Sequence, residues 1–158
     1  MLRICLALLL TCAVTVVHFS NVSPARCPTP PKVSDELEKS DAVFTGKVIT
    51  EEYQPVKPTS AGGDVLTVKL AVERWWKGER KKEVTLYTQT IRYPNGLTSF
   101  MSEDFRFHVG ERYLVYAKLT ARGLSTNNCR RTKALALAEE DLRDLGEGRL
   151  PEEEGGNY

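Results

Sequence analysis

Apolar and polar residues alternate along much of this chain, which is the pattern of β-strands with one buried face. The clearest example spans residues 65–76, and a second alternating stretch follows over residues 83–90. The short basic segment between them has the composition of a turn, so the two stretches predict an antiparallel hairpin. The predicted apolar face of the first strand consists of Leu66, Val68, Leu70 and Val72.

Further strands are predicted on both sides of this hairpin. Residues 41–53 alternate, and Gly46 within them indicates a bulge or bend. Residues 105–109 and 112–119 predict a second hairpin, whose return strand is apolar on both faces, as expected of a central strand. A short strand over residues 97–101 is predicted within the polar excursion that separates the two hairpins.

Two helices flank these strands. A short one is predicted to begin at Ser34, whose side chain can cap it, and a second covers residues 134–145 with Gly146 as its C-terminal cap. The predicted fold is therefore mainly β. It is a five-stranded Greek-key barrel, closed or partly open, with a short N-terminal helix and a C-terminal helix.

The first 25 residues have the composition of a secretory signal peptide. Arg3 supplies the positive charge, residues 4–19 form the apolar core, and Ser23-Pro24-Ala25 offers a cleavage site. This apolar run is shorter than the roughly 20 residues that span a bilayer, so an uncleaved membrane anchor is the weaker alternative. A third alternative is a lipoprotein, because the sequence around Cys12 loosely resembles a lipobox.

Cleavage would divide the chain into a signal peptide (1–25), one domain (26–146) and an acidic tail (147–158) that is predicted to be disordered. The formal net charge of +1 falls to zero with the loss of Arg3. The mature chain therefore has no excess positive charge that would favour nucleic acid or an anionic membrane as a partner. The expected location is secreted or periplasmic.

Two of the four cysteines, Cys5 and Cys12, belong to the leader. Cys27 and Cys129 are then the only pair in an oxidising compartment, and we expect a disulfide between them; two unpaired thiols are the alternative. The disulfide would close a loop of about 100 residues, for which the chain-entropy argument gives about 4 to 5 kcal/mol as an upper figure.

Five segments, taken in order, carry a resemblance to a known family. They are Cys27 followed by prolines, DAVFTGKV at residues 41–48, VERWWKG at 72–78, VGERYLVYA at 109–117, and LSTNNC at 124–129. The chain resembles the secreted bacterial proteins related to the tissue inhibitors of metalloproteinases (TIMP-like), which belong to the netrin-like group of OB-fold domains. The resemblance covers about residues 27–146 and implies an OB-fold-like barrel that acts by binding a protein.

In the animal inhibitors, as the resemblance implies, the mature chain begins with Cys-x-Cys, and the amino group and carbonyl of the first cysteine bind the zinc of the protease. The matching tripeptide here is Ala25-Arg26-Cys27, so Ala25 replaces that first cysteine. Its disulfide partner would fall near residues 102–105, where no cysteine occurs. The protease-contact N-terminus that the resemblance implies is therefore Arg26, Cys27 and Pro28, without the zinc-binding cysteine.

The sequence does not indicate an enzyme. His108 is the only histidine beyond the leader, so a histidine-rich metal site cannot form and a Ser-His-Asp triad would depend on this residue. A surface role is more ordinary for a histidine that leads into Val109 and Gly110. Since no spacing isolates a catalytic pair of carboxylates, we expect no catalytic residue, no metal and no cofactor.

A basic aromatic hairpin tip is the other candidate site. Its side chains could stack on sugars or bind an anionic ligand; alternatively, one Trp caps the barrel while the charged side chains are solvated. Near Cys129, three further basic residues could add to such a patch or serve only solubility: Arg130, Arg131 and Lys133. The patch consists of Arg74, Trp75, Trp76, Lys77, Arg80, Lys81 and Lys82.

The leading functional hypothesis is an extracytoplasmic domain that binds a protein, with metalloprotease inhibition as its most specific form. The expected partner is an extracytoplasmic zinc metalloprotease or another envelope protein, and neither nucleic acid nor, after cleavage, a membrane. The alternative is a carbohydrate or anionic-ligand module that uses the tip. A purely structural role is the third hypothesis.

Overall fold

A computed structural model describes residues 27, 29, 31–55 and 62–152, so the predicted signal peptide lies outside the described residues. Two short helices and seven strands make up the described part of the chain. They are α1 (Val33–Lys39), β1 (Ala42–Pro55), β2 (Asp64–Lys77), β3 (Glu83–Arg92), β4 (Thr98–Ser99), β5 (Arg112–Thr120), β6 (Gly123–Ser125), β7 (Lys133–Ala134), a 3-10 turn (Leu135–Leu137) and α2 (Glu139–Leu145). Neither of these two helices is long or apolar enough to cross a membrane.

The strands form one antiparallel sheet in the order β4-β3-β2-β1-β5-β6, with β7 also paired to β5. The sheet curls until β3 and β6 touch, but no backbone ladder joins these two strands in the described structure. Gly123 of β6 lies instead against the ring of Tyr87 of β3, where an added Cβ atom would come within 2.7 Å of the ring. We call this contact the open seam.

The mainly β, antiparallel fold with two short helices is confirmed. The five-stranded Greek-key barrel is not, because the described sheet has seven strands and does not close. At the open seam β6 is only three residues long, and its Gly123 meets β3 through the ring of Tyr87 rather than through a backbone ladder.

Bulges set which side chains of the central strands face inward. The register of β1 against β2 shifts between Thr45 and Gly46, as predicted, and a Cβ atom on Gly46 would lie 2.8 Å from a backbone oxygen of β2. Between Val65 and Thr67 the register of β2 against β3 also shifts, so these two residues are buried and Leu66 is only partly buried. The predicted alternation therefore holds from Val68 to Val72 but is wrong at Leu66.

Two hydrophobic clusters lie on opposite faces of the sheet. Strand β5 contributes to both, since every side chain from Tyr113 to Ala117 is buried, as predicted for a central strand. The outer cluster packs the sheet against the helices and consists of Val43, Leu114, Tyr116 and Ala138 with the flanking Leu37, Trp76, Leu135, Leu142 and Leu145. The inner cluster includes Phe44, Val48, Val68, Leu70, Trp75, Leu86, Phe107, Tyr113 and Val115.

The connecting segments differ from the predictions in three places. Helix α1 begins one residue before Ser34 and has no side-chain cap. The C-terminal helix is shorter than residues 134–145, because that stretch begins with β7 and a 3-10 turn; Gly146 does end it, with φ 69°. Residues 105–109 form no strand, so the hairpin predicted from 105–109 and 112–119 is wrong; instead, the rings of Phe105 and Phe107 lie against Tyr113 of β5.

The predicted disordered tail also differs in its first half. The backbone of Arg149 exchanges two hydrogen bonds with Trp75 of β2, at 2.7 and 2.8 Å, and the amide of Glu152 donates to the carbonyl of Arg80 at 2.7 Å. Residues 147–152 therefore follow β2 because its edge offers unpaired backbone groups there. Residues 153–158 lie outside the described residues.

Candidate functional site

A disulfide brings the start of the described chain onto the loop that follows β6. Cys27 and Cys129 are bonded, with their Cα atoms 4.9 Å apart, as expected from the cysteine count. On the same loop, Asn127 pairs with Asp104, and the amide of Asn128 donates to the carbonyl of Glu103 at 2.7 Å. We call the resulting surface, formed by residues 27, 127–129 and 97–104, the disulfide edge.

Polar contacts fix the 97–104 segment of the disulfide edge in place. The carboxylate of Asp104 accepts hydrogen bonds from the amide of Gln89 at 3.0 Å and from the hydroxyl of Thr90 at 2.9 Å. The side-chain amide of Asn128 donates to the carbonyl of Asp104 at 2.9 Å. The segment is therefore held from β3 on one side and from the Cys129 loop on the other.

Apolar side chains of this segment face solvent. Leu97, Phe100 and Met101 are 66%, 63% and 52% exposed. The guanidinium of Arg106 lies over the Phe100 ring, 5.7 Å from its centre, which is within the range of a cation–π contact. A group of exposed aromatic and sulfur-containing side chains on a fixed backbone is typical of protein-binding surfaces.

Behind the disulfide edge lies a buried charge cluster. The carboxylate of Asp141 on α2 accepts two hydrogen bonds from Arg131, at 2.7 and 2.9 Å, and one from Lys133 at 2.7 Å. Burial acts to raise the pKa of Asp141, but the bonds from Arg131 and Lys133 outweigh it and hold the pKa below its usual value. The hydroxyl of Tyr116 also donates to Asp141, at 3.2 Å, and burial raises the pKa of that phenol.

The same cluster anchors the residues just before α1, which we call the N-terminal lead-in. Arg131 donates to the carbonyl of Pro31 at 2.9 Å, and Arg130 forms a 2.7 Å ion pair with Glu36 of α1. Arg130 and Arg131, beside Cys129, therefore bind α1 and the lead-in. These contacts show a structural role beyond simple solubility, and the ligand patch stays a prediction.

Of the predicted protease-contact residues, Cys27 is placed at the disulfide edge. Arg26 and Pro28 lie outside the described residues.

The two tryptophans of the predicted tip point to opposite faces of β2. Trp75 is 2% exposed, packs on Phe44 with ring centres 4.9 Å apart, and donates its indole N–H to the carbonyl of Lys81 at 2.9 Å. Trp76 packs against the outer cluster and donates its indole N–H to Gly146 at 2.9 Å. The rings are therefore not side by side on one surface.

The basic residues of the tip have contacts within the fold. Arg74 donates to the carbonyl of Gly148, and Lys77 donates to two carbonyls at the end of α1. At the turn itself, Arg80 pairs with Glu152 and Lys81 pairs with Glu79. Lys82 accepts a backbone hydrogen bond from Val72 at 2.8 Å.

No catalytic constellation is evident among the described residues. His108 is exposed, as predicted, and its backbone amide donates to the hydroxyl of Tyr113 at 3.1 Å. Within residues 27–152, as far as the structure describes them, no three histidine, cysteine or acidic side chains are grouped so that they could hold a metal ion.

Comparison of the chain with models of known protein families, and with curated proteins, finds no match. The resemblance to TIMP-like domains therefore rests on the sequence segments alone.

Sequence reasoning missed two groups of residues. Asp141 is one of several acidic residues in α2, and nothing in the sequence separates it from its neighbours. A signal did exist for the exposed group, because Leu97, Phe100 and Met101 are apolar residues inside an otherwise polar excursion.

Proposed function

We propose that this chain is an extracytoplasmic domain that binds a protein partner through its disulfide edge. One observation carries the proposal: the covalent and hydrogen-bonded connection from Cys27 through Cys129 and Asn128 to the 97–104 segment. It joins the N-terminal stretch to three exposed apolar side chains on one fixed surface. Binding then costs less conformational entropy, because the contacting segments are already ordered.

The most specific form of the proposal is inhibition of a zinc metalloendopeptidase. Its support is the resemblance to TIMP-like domains, together with the adjacency of the Cys129 loop and residues 102–104, close to where that family has the disulfide partner of its first cysteine. Cleavage after Ala25 would leave the amino group on Arg26, one residue before Cys27. The contact with the protease would then depend on the N-terminal stretch and the apolar side chains rather than on a terminal cysteine.

The extracytoplasmic location is part of the same proposal. A cysteine pair at bonding distance is typical of oxidising compartments, and the leader-like residues 1–25 have the pattern of an export signal.

The test uses the mature protein, residues 26–158, against a panel of bacterial and animal zinc endopeptidases. We expect inhibition of at least one enzyme at micromolar concentration. A matched form with Gly-Ser added before Arg26 should inhibit less, because the extension crowds the N-terminal contact. No inhibition across the panel would remove the specific form of the proposal.

The general form has its own test. Immobilised mature protein is exposed to an envelope extract, and bound proteins are eluted in the presence of excess free protein. A partner that the free protein displaces supports the proposal, and retention that it does not displace contradicts it.

The carbohydrate hypothesis stays a prediction about the tip. Because Trp75 is in the inner cluster and Trp76 contacts the helices, a sugar would have to bind beside the charged residues rather than on two stacked rings. A glycan array that is blank for the mature protein would remove it.

A further inference from the structure

The open seam between β3 and β6 leads into a cavity of about 520 Å³. The apolar part of its wall comprises Ala42, Trp75, Val84, Leu119 and Leu124. Its volume lies within the range of sites that hold small molecules, and barrel mouths are among the places where such sites occur. The wall is open to solvent at Leu119, which is 65% exposed, while Ala42, Trp75 and Val84 are buried and form its floor.

The acidic side chains around this cavity are already paired. Asp41 accepts from the ammonium group of Lys118 at 3.1 Å and from the amide of Leu119 at 2.7 Å. Glu83 pairs with Lys69 at 2.5 Å, and Glu79 pairs with Lys81 at 2.6 Å.

Arg122 differs from these residues. It lines the same cavity from the turn between β5 and β6, and its backbone amide bonds to Thr120. Its guanidinium has no ion pair or hydrogen bond with any residue that the structure describes. The cavity therefore combines an apolar wall with one available cation at its rim.

We propose that this cavity binds a small carboxylate with an apolar body. The body packs on Trp75, Val84 and Leu124, and the carboxylate accepts hydrogen bonds from the guanidinium of Arg122. A guanidinium matches a carboxylate because two parallel N–H donors meet two oxygens. The apolar body adds affinity by leaving water.

This site is distinct from the disulfide edge and does not depend on the proposed protein partner. It also differs from the basic aromatic tip predicted from the sequence. Of that patch only Trp75 and Lys81 line it, and the other walls come from the start of β1, from β3, and from β5, β6 and the turn between them.

The test uses decanoate as the probe and Trp75 as the reporter. The variant Trp76→Phe leaves Trp75 as the only tryptophan, since the chain has two. Decanoate, added below its micelle concentration, should change the fluorescence of Trp75 saturably. In the same background, Arg122→Gln should weaken binding about 10-fold, which is the size expected for loss of a charge-assisted hydrogen bond. Decanol has the same apolar chain but no carboxylate. It should therefore bind Trp76→Phe no more tightly than decanoate binds the Arg122→Gln variant.

Arg143→Gln is the matched control, because Arg143 is exposed on α2 and does not line the cavity. It should bind decanoate as the parent does. Three outcomes would each overturn the proposal: no saturable change with decanoate, equal affinity in Arg122→Gln, or decylammonium binding as tightly as decanoate. Backbone amide shifts of Trp76→Phe provide a second measurement, and shifts confined to residues away from β3 and β6 would also overturn it.

Discussion

Two basic regions of this molecule differ in what their charges do. Near Cys129, Arg131 is 10% exposed and its partner Asp141 is completely buried, while Arg130 pairs with a residue 94 positions away. At the hairpin tip, the side chains of Lys81 and Glu79 are 66% and 78% exposed and lie two positions apart. The charges near Cys129 join distant parts of the chain, whereas Lys81 pairs with a neighbour in water. Other basic residues of the tip do reach distant residues, since Lys77 binds the end of α1 and Arg80 pairs with Glu152.

This difference determines which region can stabilise the conformation of a binding surface. A buried ion pair whose partner is removed leaves an uncompensated charge, whereas an exposed pair loses little because water replaces the partner. The charges near Cys129 therefore secure α1, α2 and the lead-in behind the disulfide edge. The exposed pair of Lys81 with Glu79 contributes little to the fold.

The largest expected effect is that of Asp141→Asn. This change leaves the charges of Arg131 and Lys133 without their carboxylate partner, so the free energy of unfolding should fall by about 3 to 5 kcal/mol. Urea unfolding measures it. Asp144→Asn, an exposed position of the same helix, is the control and should behave like the parent. A fall of under about 1 kcal/mol for Asp141→Asn would mean that the cluster does not stabilise the fold.

The pH dependence of that difference tests its electrostatic origin. The folded-state pKa of Asp141 is below the usual 3.8, so its contribution is present above that pH and is lost as the pH falls through the folded-state pKa. The gap in unfolding free energy between parent and Asp141→Asn should be constant from about pH 7 to 5 and shrink below about 3.8. A gap that widens in acid contradicts this assignment.

The disulfide should have the next largest effect. Cys27→Ser with Cys129→Ser frees a loop that spans 102 positions. We expect the unfolding free energy to fall by about 3 kcal/mol, because the unfolded chain gains freedom. Chemical denaturation of the parent with and without reductant is the companion measurement, and identical midpoints would show that the bond does not contribute.

A smaller effect is expected at the junction of the disulfide edge. Asn128→Ala removes the side-chain bond to the carbonyl of Asp104 but leaves the backbone bond to Glu103. The unfolding free energy should fall by about 1 kcal/mol. Amide hydrogen exchange should increase in residues 101–104 more than in β2, and a uniform increase would argue against a local role.

The smallest effect is expected at the tip. Lys81→Gln removes an exposed pair with Glu79, so the denaturation midpoint should not change measurably. If this variant is as unstable as Asp141→Asn, the contrast between the two regions is wrong.

The sequence predicted the parts of the fold that depend on local pattern. Periodicity predicted the strands around Val68–Val72 and Tyr113–Ala117. The bulge was predicted from Gly46, because a glycine allows another backbone to approach closely. The sequence did not predict the open seam, because the contact between Tyr87 and Gly123 joins residues that are far apart in the chain.

The candidate sites show the same limit. The cysteine pair could be predicted because only two cysteines follow the leader. In contrast, adjacent tryptophans suggested one aromatic surface, but successive side chains of a strand point to opposite faces, and Trp75 and Trp76 pack in different clusters. The role of Arg131 was hidden because its partner lies on a helix whose packing the sequence does not reveal.

The most direct test of the disulfide edge as a binding surface compares three mature proteins for binding to the same partner, either an inhibited zinc endopeptidase or a displaceable envelope protein. They are the parent, an edge variant with Phe100→Ser and Met101→Ser, and a tip variant with Arg80→Gln and Lys81→Gln. We expect the edge variant to bind at least about 10-fold more weakly, since exposed aromatic anchors dominate such interfaces, and the tip variant to bind like the parent. Full binding by the edge variant together with loss in the tip variant would contradict the proposal.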